Sequence, residues 1–205
     1  HAMSAGSLAM PRHAVPPPRE RVPVVSNAKL AVVVVIASEC MLFVGLIGMY
    51  MVFRLAAPDW PPADLPRLPL GITGLNTLVL FGSVPWMTRA MAAVRRDDGP
   101  DVARNLSFTA LMGALFLAVQ GLEWTRLVRH GLTLGSSIYG ATFYLLIGCH
   151  ALHVLIAVLW LATITVLARR GTFTAARHAP LEMCAIYWYF VCGLWVILFP
   201  LVYLA

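Results

Sequence analysis

Long apolar segments separated by short polar stretches dominate this sequence. Five of them are found, at residues 30–53, 70–87, 106–122, 138–167 and 181–205. A helix of about 20 residues crosses the roughly 30 Å hydrocarbon core of a bilayer, with every backbone hydrogen bond made inside the segment. The pattern therefore predicts an all-α integral membrane bundle of five transmembrane helices, in which the longest segment, 138–167, tilts or projects from the membrane.

The stretch before the first apolar segment has a different character. Residues 1–28 contain five prolines and three arginines and almost no large apolar side chains. Such a composition cannot form a packed core. We therefore predict a disordered, cytoplasmic N-terminal segment at residues 1–28 and a transmembrane domain at residues 29–205.

Composition and charge also indicate a membrane protein and predict its orientation. Hydrophobic residues make up 60% of the chain and charged residues only 12%, about half the share of a soluble domain. The net charge of +6 does not indicate nucleic-acid binding, because the basic residues stand at segment ends rather than in one patch. Eleven of the fifteen lie before the first segment and in the second-to-third and fourth-to-fifth connections. The positive-inside rule then predicts a cytoplasmic N-terminus and a C-terminus outside.

Three ionisable side chains lie deep within the apolar segments. Glu39 is ten residues after Lys29, about 15 Å along the first helix, and His150 is about 18 Å into the fourth helix. His153 follows one turn later, so all three lie at similar depth and form one cluster if the two helices pack together. Polar groups are costly there unless they have a partner. Glu39, His150 and His153 are thus candidates for a proton or oxygen path, or for hydrogen bonds between helices.

A metal site in this chain alone is disfavoured. Histidines at i and i+3 share a face and could ligate one ion, but neither His150 nor His153 has a glutamate three residues earlier, as a di-iron bundle requires. A bis-histidine haem needs a ligand on an opposing helix, and no other apolar segment contains a histidine. We predict no catalytic residue, metal or cofactor in this chain. A stand-alone metalloenzyme or a transporter, which would show repeated or broken helices, is the least favoured alternative.

Further polar residues mark the segment ends. Glu123, Trp124 and Arg126 follow the third segment, which indicates an interfacial belt with ordinary salt bridges at the outer face. Arg177, His178 and Glu182 precede or open the fifth, where cations suit lipid phosphates and an acid suits a helix N-terminus. These residues are candidate lipid or subunit contacts. Inside the segments, the uncharged polar residues Asn76, Thr77 and Gln120 suit hydrogen bonds between helices.

Several strings together resemble one family. SSIYGATFY at 136–144 and GCHALHV at 148–154 are similar to the S-x-Y-G-x-x-F…G-x-H-x-L-H-V pattern of subunit III of the haem–copper oxidases. ASECMLF at 37–43 resembles the S-E-x-x-x-F stretch of the helix that opens the five-helix form of that family. The last helix departs from the family's W-H-F-V-D pattern, with Tyr189 in place of histidine and Cys192 in place of aspartate.

The resemblance implies a non-catalytic subunit of an aerobic terminal oxidase (a cytochrome c oxidase) in a bacterial inner membrane. Haem and copper would belong to the partner subunit I, with subunit II as a further partner, and this chain would bind phospholipid but no nucleic acid. Glu39 would take the family's intramembrane glutamate position. His150, His153 and Glu123 would contact lipid or neighbouring helices, and Trp188 would contact lipid or another subunit. The altered last helix keeps open a second possibility, the related accessory protein of nitric oxide reductases.

Overall fold

The computed structural model describes residues 27–62 and 68–204. The segment predicted to be disordered lies outside these residues except for Asn27 and Ala28, which form the first turn of the first helix. Five long helices follow one another, each apolar and long enough to cross a membrane, so the predicted all-α bundle is confirmed. They are α1 (Asn27–Ala56), α2 (Leu70–Arg95), α3 (Gly99–Arg129), α4 (Ile138–Arg169) and α5 (Ala179–Phe199), and a π-helical turn (Pro200–Leu204) continues α5.

Capping residues outside the hydrophobic pattern set the first residues of α3 and α4. The side chain of Asp98 caps α3 by accepting a hydrogen bond from the backbone N–H of Asp101 at 3.1 Å, and Pro100 lies in the first turn. Ser137 caps α4 in the same way, through the N–H of Gly140 at 3.0 Å. α3 in particular gains about two turns at each end relative to its apolar segment.

Helix α5 forms the core of the bundle. It packs against α1, α2 and α4, and its side chains also contact α3. Its two large indoles, Trp188 and Trp195, are fully buried. Each donates its N–H to a hydroxyl of α2, Trp188 to Ser83 at 3.1 Å and Trp195 to Thr77 at 3.0 Å. The buried indole hydrogens are therefore satisfied within the chain.

A glycine permits the close approach of α3 to α5. A Cβ atom at Gly113 of α3 would lie 2.5 Å from the ring of Trp188 and 2.8 Å from the side chain of Val158. Both distances are far below van der Waals contact, so the backbone of α3 reaches α4 and α5 only because residue 113 has no side chain.

Helix α1 lies at the edge of the bundle. It packs against α4 and α5 and exposes apolar side chains on its other side, such as Met41 at 80%. Near its start Lys29 pairs with Glu182 at 2.7 Å, and near its end Arg54 donates to the carbonyl of Leu201 at 3.3 Å. These contacts join the first turn of α1 to the first turn of α5 and its end to the end of α5, so the two helices run in the same direction.

Candidate functional site

Glu39 and His153 form a pair between α1 and α4. The carboxylate Oε2 of Glu39 lies 2.5 Å from Nε2 of His153. The other ring nitrogen of His153, Nδ1, lies 2.6 Å from the carbonyl oxygen of Cys149. Because that carbonyl can only accept, Nδ1 carries a hydrogen. The Nε2–Oε2 contact then contains one further proton, on the carboxyl group or on the ring, and the pair can hold one exchangeable proton.

The pair lies at the edge of the bundle. The side chain of His153 is 9% exposed and that of Glu39 is 23% exposed. The ring of Phe43 covers His153 edge-on at 5.1 Å. Glu39 thus contacts His153 on its inner side and is partly exposed at the outer surface of the bundle. A lipid or a neighbouring subunit could contact it there.

His150 has different surroundings. It is 1% exposed and stacks on Trp195 of α5, with ring centroids 5.0 Å apart and an interplanar angle of 20°. Neither of its ring nitrogens has a hydrogen-bond partner among the described residues. Of the two histidines, only His153 contacts Glu39, while His150 packs as an aromatic ring in the core. The described residues contain no group of three or more His, Cys, Asp or Glu side chains that could hold a metal ion.

Glu123 is the centre of a second polar cluster, between α2 and α3. It is 3% exposed, and its Oε2 accepts a hydrogen bond from the hydroxyl of Thr73 at 2.8 Å. Glu123 therefore lies buried against α2 and not in an interfacial belt with salt bridges, and its bond to Thr73 is a contact with a neighbouring helix, as the family resemblance implies. The apolar segment ends at Leu122, but α3 continues to Arg129, so Glu123 lies inside the helix on the side that faces α2.

Uncharged polar residues extend this cluster along the same interface. The amide nitrogen of Asn76 donates to the carbonyl of Phe116 at 3.0 Å, which joins α2 to α3 as predicted for this residue. The amide nitrogen of Gln120 donates to the hydroxyl of Tyr203 at 3.2 Å. Tyr203 was not among the predicted residues, and only its position in a last apolar helix could have indicated that it turns inward.

The remaining predicted contact residues divide between surface and core. Arg126 and Arg177 are exposed, Trp124 and His178 are partly buried, and Glu182 forms its ion pair with Lys29. Trp188 is 0% exposed and packs inside the bundle against Gly113. The prediction that Trp188 contacts lipid or another subunit does not agree with this position, because its indole is enclosed by α2, α3 and α4 of its own chain.

A groove open to the outside follows the α3–α4 contact. It consists of two adjoining cavities of about 300 Å³ and 470 Å³ that share Gly121 and Trp124. One end is apolar, with Leu117 and Leu155 in its walls, and the other contains Arg129. The glycines at 121 and 148 leave room between the two helices, since the space beside Gly121 is open and a Cβ at Gly148 would be in ordinary contact with Trp124.

Comparison with known proteins identifies one family over nearly the whole chain. A family model described as cytochrome c oxidase subunit III matches residues 18–205. Cytochrome c oxidase subunit 3 of Synechocystis sp. is 35% identical over 84% of this chain and 73% of its own length. The probable cytochrome c oxidase subunit 3 of Mycobacterium leprae is 37% identical over 83% of this chain and 84% of its own length. Cytochrome c oxidase subunit 3 of Gadus morhua is 31% identical over 88% of this chain and 70% of its own length.

Proposed function

This chain belongs to the cytochrome c oxidase subunit III family, and we infer that it serves as the non-catalytic subunit III of a haem–copper terminal oxidase. The match over residues 18–205 is the observation that carries this inference. The named relatives are oxidase subunits, which favours an oxidase over a nitric oxide reductase as the complex that contains this chain. As a multi-pass membrane protein of this family it associates with the catalytic complex.

We propose that its direct partners are subunit I, which holds the haem and copper, and subunit II, in the inner membrane of a bacterial cell. The outward side of α1 suits such a contact, since it exposes large apolar residues along its whole length. A hydrophobic surface of this extent is covered by lipid chains or by another membrane subunit.

The Glu39–His153 pair supports a role in proton uptake or oxygen access to the partner. The pair holds one exchangeable proton between α1 and α4, and Glu39 is the member with the greater exposure at the bundle surface. A partner helix packed against α1 would therefore meet a protonatable group at mid-membrane depth. The role of His150 in the same proposal is to hold α4 against α5 through its stacking on Trp195.

The groove between α3 and α4 supports the binding of one phospholipid. Its apolar end suits an acyl chain, and Arg129 at the other end suits a headgroup phosphate. Trp124 lies between the two parts, as aromatic residues commonly do at the boundary between headgroups and chains. Arg126 is exposed and lies one turn before Arg129 on α3, so it is a second cation near this end of the groove.

Purification in a mild detergent tests the assignment. We expect the chain to co-purify with a catalytic subunit that contains a high-spin haem and copper, visible in the absorption spectrum and in metal analysis. Co-purification with a nitric-oxide-reducing subunit that lacks copper would move the chain to the alternative complex. Recovery of this chain alone with stoichiometric bound metal would overturn the inference.

A further inference from the structure

The groove between α3 and α4 has about the length of one leaflet of a bilayer. On α3 its walls extend from Leu117 to Arg129. On α4 they extend from Leu155 back to Tyr144. At 1.5 Å per residue these spans are about 18 Å and about 17 Å. Half of the roughly 30 Å hydrocarbon core is about 15 Å, so the groove matches one acyl chain and continues into the headgroup layer.

The walls of the groove change from apolar to basic along its length, and the direction of that change is fixed by α3. The cavity nearer the middle of the bundle has Leu152 and Leu155 in its walls. The adjoining cavity shares Trp124 with it and contains Arg129. Arg129 is the last residue of α3, which begins at Gly99, so the basic end lies at the end of the bundle that the charge distribution predicts to be outside.

The groove carries positive charge and no negative charge. Neither cavity has an aspartate or a glutamate in its walls. Arg129 and Arg126 are both exposed, and neither forms an ion pair with an acid of the described residues. Glu123, one turn before Arg126, is buried on the side that faces α2. A zwitterionic headgroup would bring an ammonium group to two arginines and to no acid in these walls, so charge complementarity favours an anionic headgroup.

Membrane topology does not account for these two arginines. Eleven of the fifteen lysines and arginines lie on the predicted cytoplasmic side, and Arg126 and Arg129 are two of the four on the other side. Cations in the last turn also stabilise the C-terminal end of a helix. That effect is independent of the lipid, whereas a headgroup contact depends on the charge of the headgroup, so the two roles are distinguishable by measurement.

We propose that the α3–α4 groove binds one anionic phospholipid of the outer leaflet, with an acyl chain along Leu117 and Leu155 and the phosphate at Arg126 and Arg129. This inference rests on the lipid binding proposed above for the groove and adds the charge and the leaflet of the lipid. Guanidinium groups bind phosphate oxygens through paired hydrogen bonds. The space beside Gly121 is open, so the backbone of α3 leaves room for the chain.

Lipid competition on the purified, delipidated complex tests the proposal. The complex is incubated with equal amounts of phosphatidylglycerol and phosphatidylethanolamine that have the same acyl chains, and the retained lipids are counted by native mass spectrometry. We expect the wild-type complex to retain one more phosphatidylglycerol molecule than the double variant Arg126→Gln/Arg129→Gln. The matched control is Arg170→Gln, which removes an exposed arginine after the last turn of α4, at the opposite end of the bundle, and should keep the wild-type count.

Filling the groove gives a second test that leaves the charges in place. Gly121→Leu puts a side chain into the apolar part of the groove, and it should fold because a Cβ at Gly121 meets no neighbouring atom within 4 Å. We expect this variant to lose the same phosphatidylglycerol molecule although Arg126 and Arg129 are present. If it fails to assemble, the two arginine variants decide the question, because their side chains are exposed.

Three results would overturn the proposal. They are an equal phosphatidylglycerol count in the wild type and the double arginine variant, displacement of the bound lipid by inorganic phosphate, and a helix of another subunit seated in the groove in a structure of the complex. Failure of the proposed function has a different signature, which is recovery of the chain without a haem–copper subunit. The lipid count of that preparation would still measure the preference of the groove.

Discussion

At the residue scale, an acidic side chain within the membrane is stabilised by sharing a proton with a histidine. Glu39 and His153 were both predicted as intramembrane polar residues, and the helical rise of 1.5 Å per residue placed them at one depth. Their contact could not be predicted, because it depends on α1 packing beside α4. The structure supplies that neighbour relation and the 2.5 Å contact.

Substituting Glu39 by glutamine should impair the complex without changing its cofactors. The glutamine retains the volume and can bond to His153 but cannot carry the exchangeable proton. We expect unchanged haem and copper content, with slower turnover or several-fold faster inactivation, measured by oxygen consumption over time. Glu182→Gln is the matched control, because Glu182 pairs with Lys29 at a helix end. Loss of metal from the Glu39→Gln complex would contradict the non-catalytic assignment.

The two histidines should differ in their contribution to stability. His153→Phe leaves the Glu39 carboxyl without its partner, and a polar group left unpaired away from water costs about 1–3 kcal/mol. His150→Phe removes no hydrogen bond of the described residues and preserves a ring stacked on Trp195, so its cost should stay below about 1.5 kcal/mol. Thermal unfolding of the two variant complexes measures the difference. Equal losses would show that the Glu39 contact contributes nothing.

At the element scale, the five helices could be predicted and their arrangement could not. Apolar length alone indicated each span, but the ends of α3 were missed by about two turns, because Asp98 and the residues after Leu122 interrupt the hydrophobic pattern without ending the helix. That error placed Glu123 in an interfacial belt at the end of the helix, whereas it lies about two turns inside α3. The central position of α5 was also not predictable, since all five segments are almost uniformly apolar and none has a marked polar side.

Gly113 tests the tight contact of α3 with α4 and α5. In Gly113→Ala the new methyl group would overlap Trp188 and Val158, and overpacking of this kind costs about 1–3 kcal/mol. The melting temperature of the complex should fall accordingly. Gly193→Ala on α5 is the control, because a Cβ there meets open space and alanine favours a helix by about 0.5–1 kcal/mol. An undiminished melting temperature for Gly113→Ala would mean that α3 can shift away from α5.

At the scale of the whole molecule, the parallel direction of α1 and α5 agrees with an odd number of membrane crossings. Lys29 and Glu182 meet at one end of the bundle, and Arg54 and Leu201 meet at the other. The basic residues concentrate at the first of these ends, with Arg95, Arg96 and Arg169 in or beside the connections there. The helix directions place the two ends of the described bundle on opposite sides of a membrane, and the charge distribution predicts that the end with Lys29 and Glu182 is the cytoplasmic one.

Labelling of single cysteines tests this orientation. In a variant without its four native cysteines, Thr172→Cys lies in the connection between α4 and α5, and Gly135→Cys lies in the connection between α3 and α4. Both positions are exposed, so burial does not limit the reaction at either one. A thiol reagent that cannot cross membranes should label Gly135→Cys in intact spheroplasts, while Thr172→Cys should react only in inverted vesicles, because the arginines flanking residue 172 keep that connection on the cytoplasmic side. The opposite labelling pattern would show that the topology is the reverse of the predicted one, with the Lys29 and Glu182 end of the bundle outside.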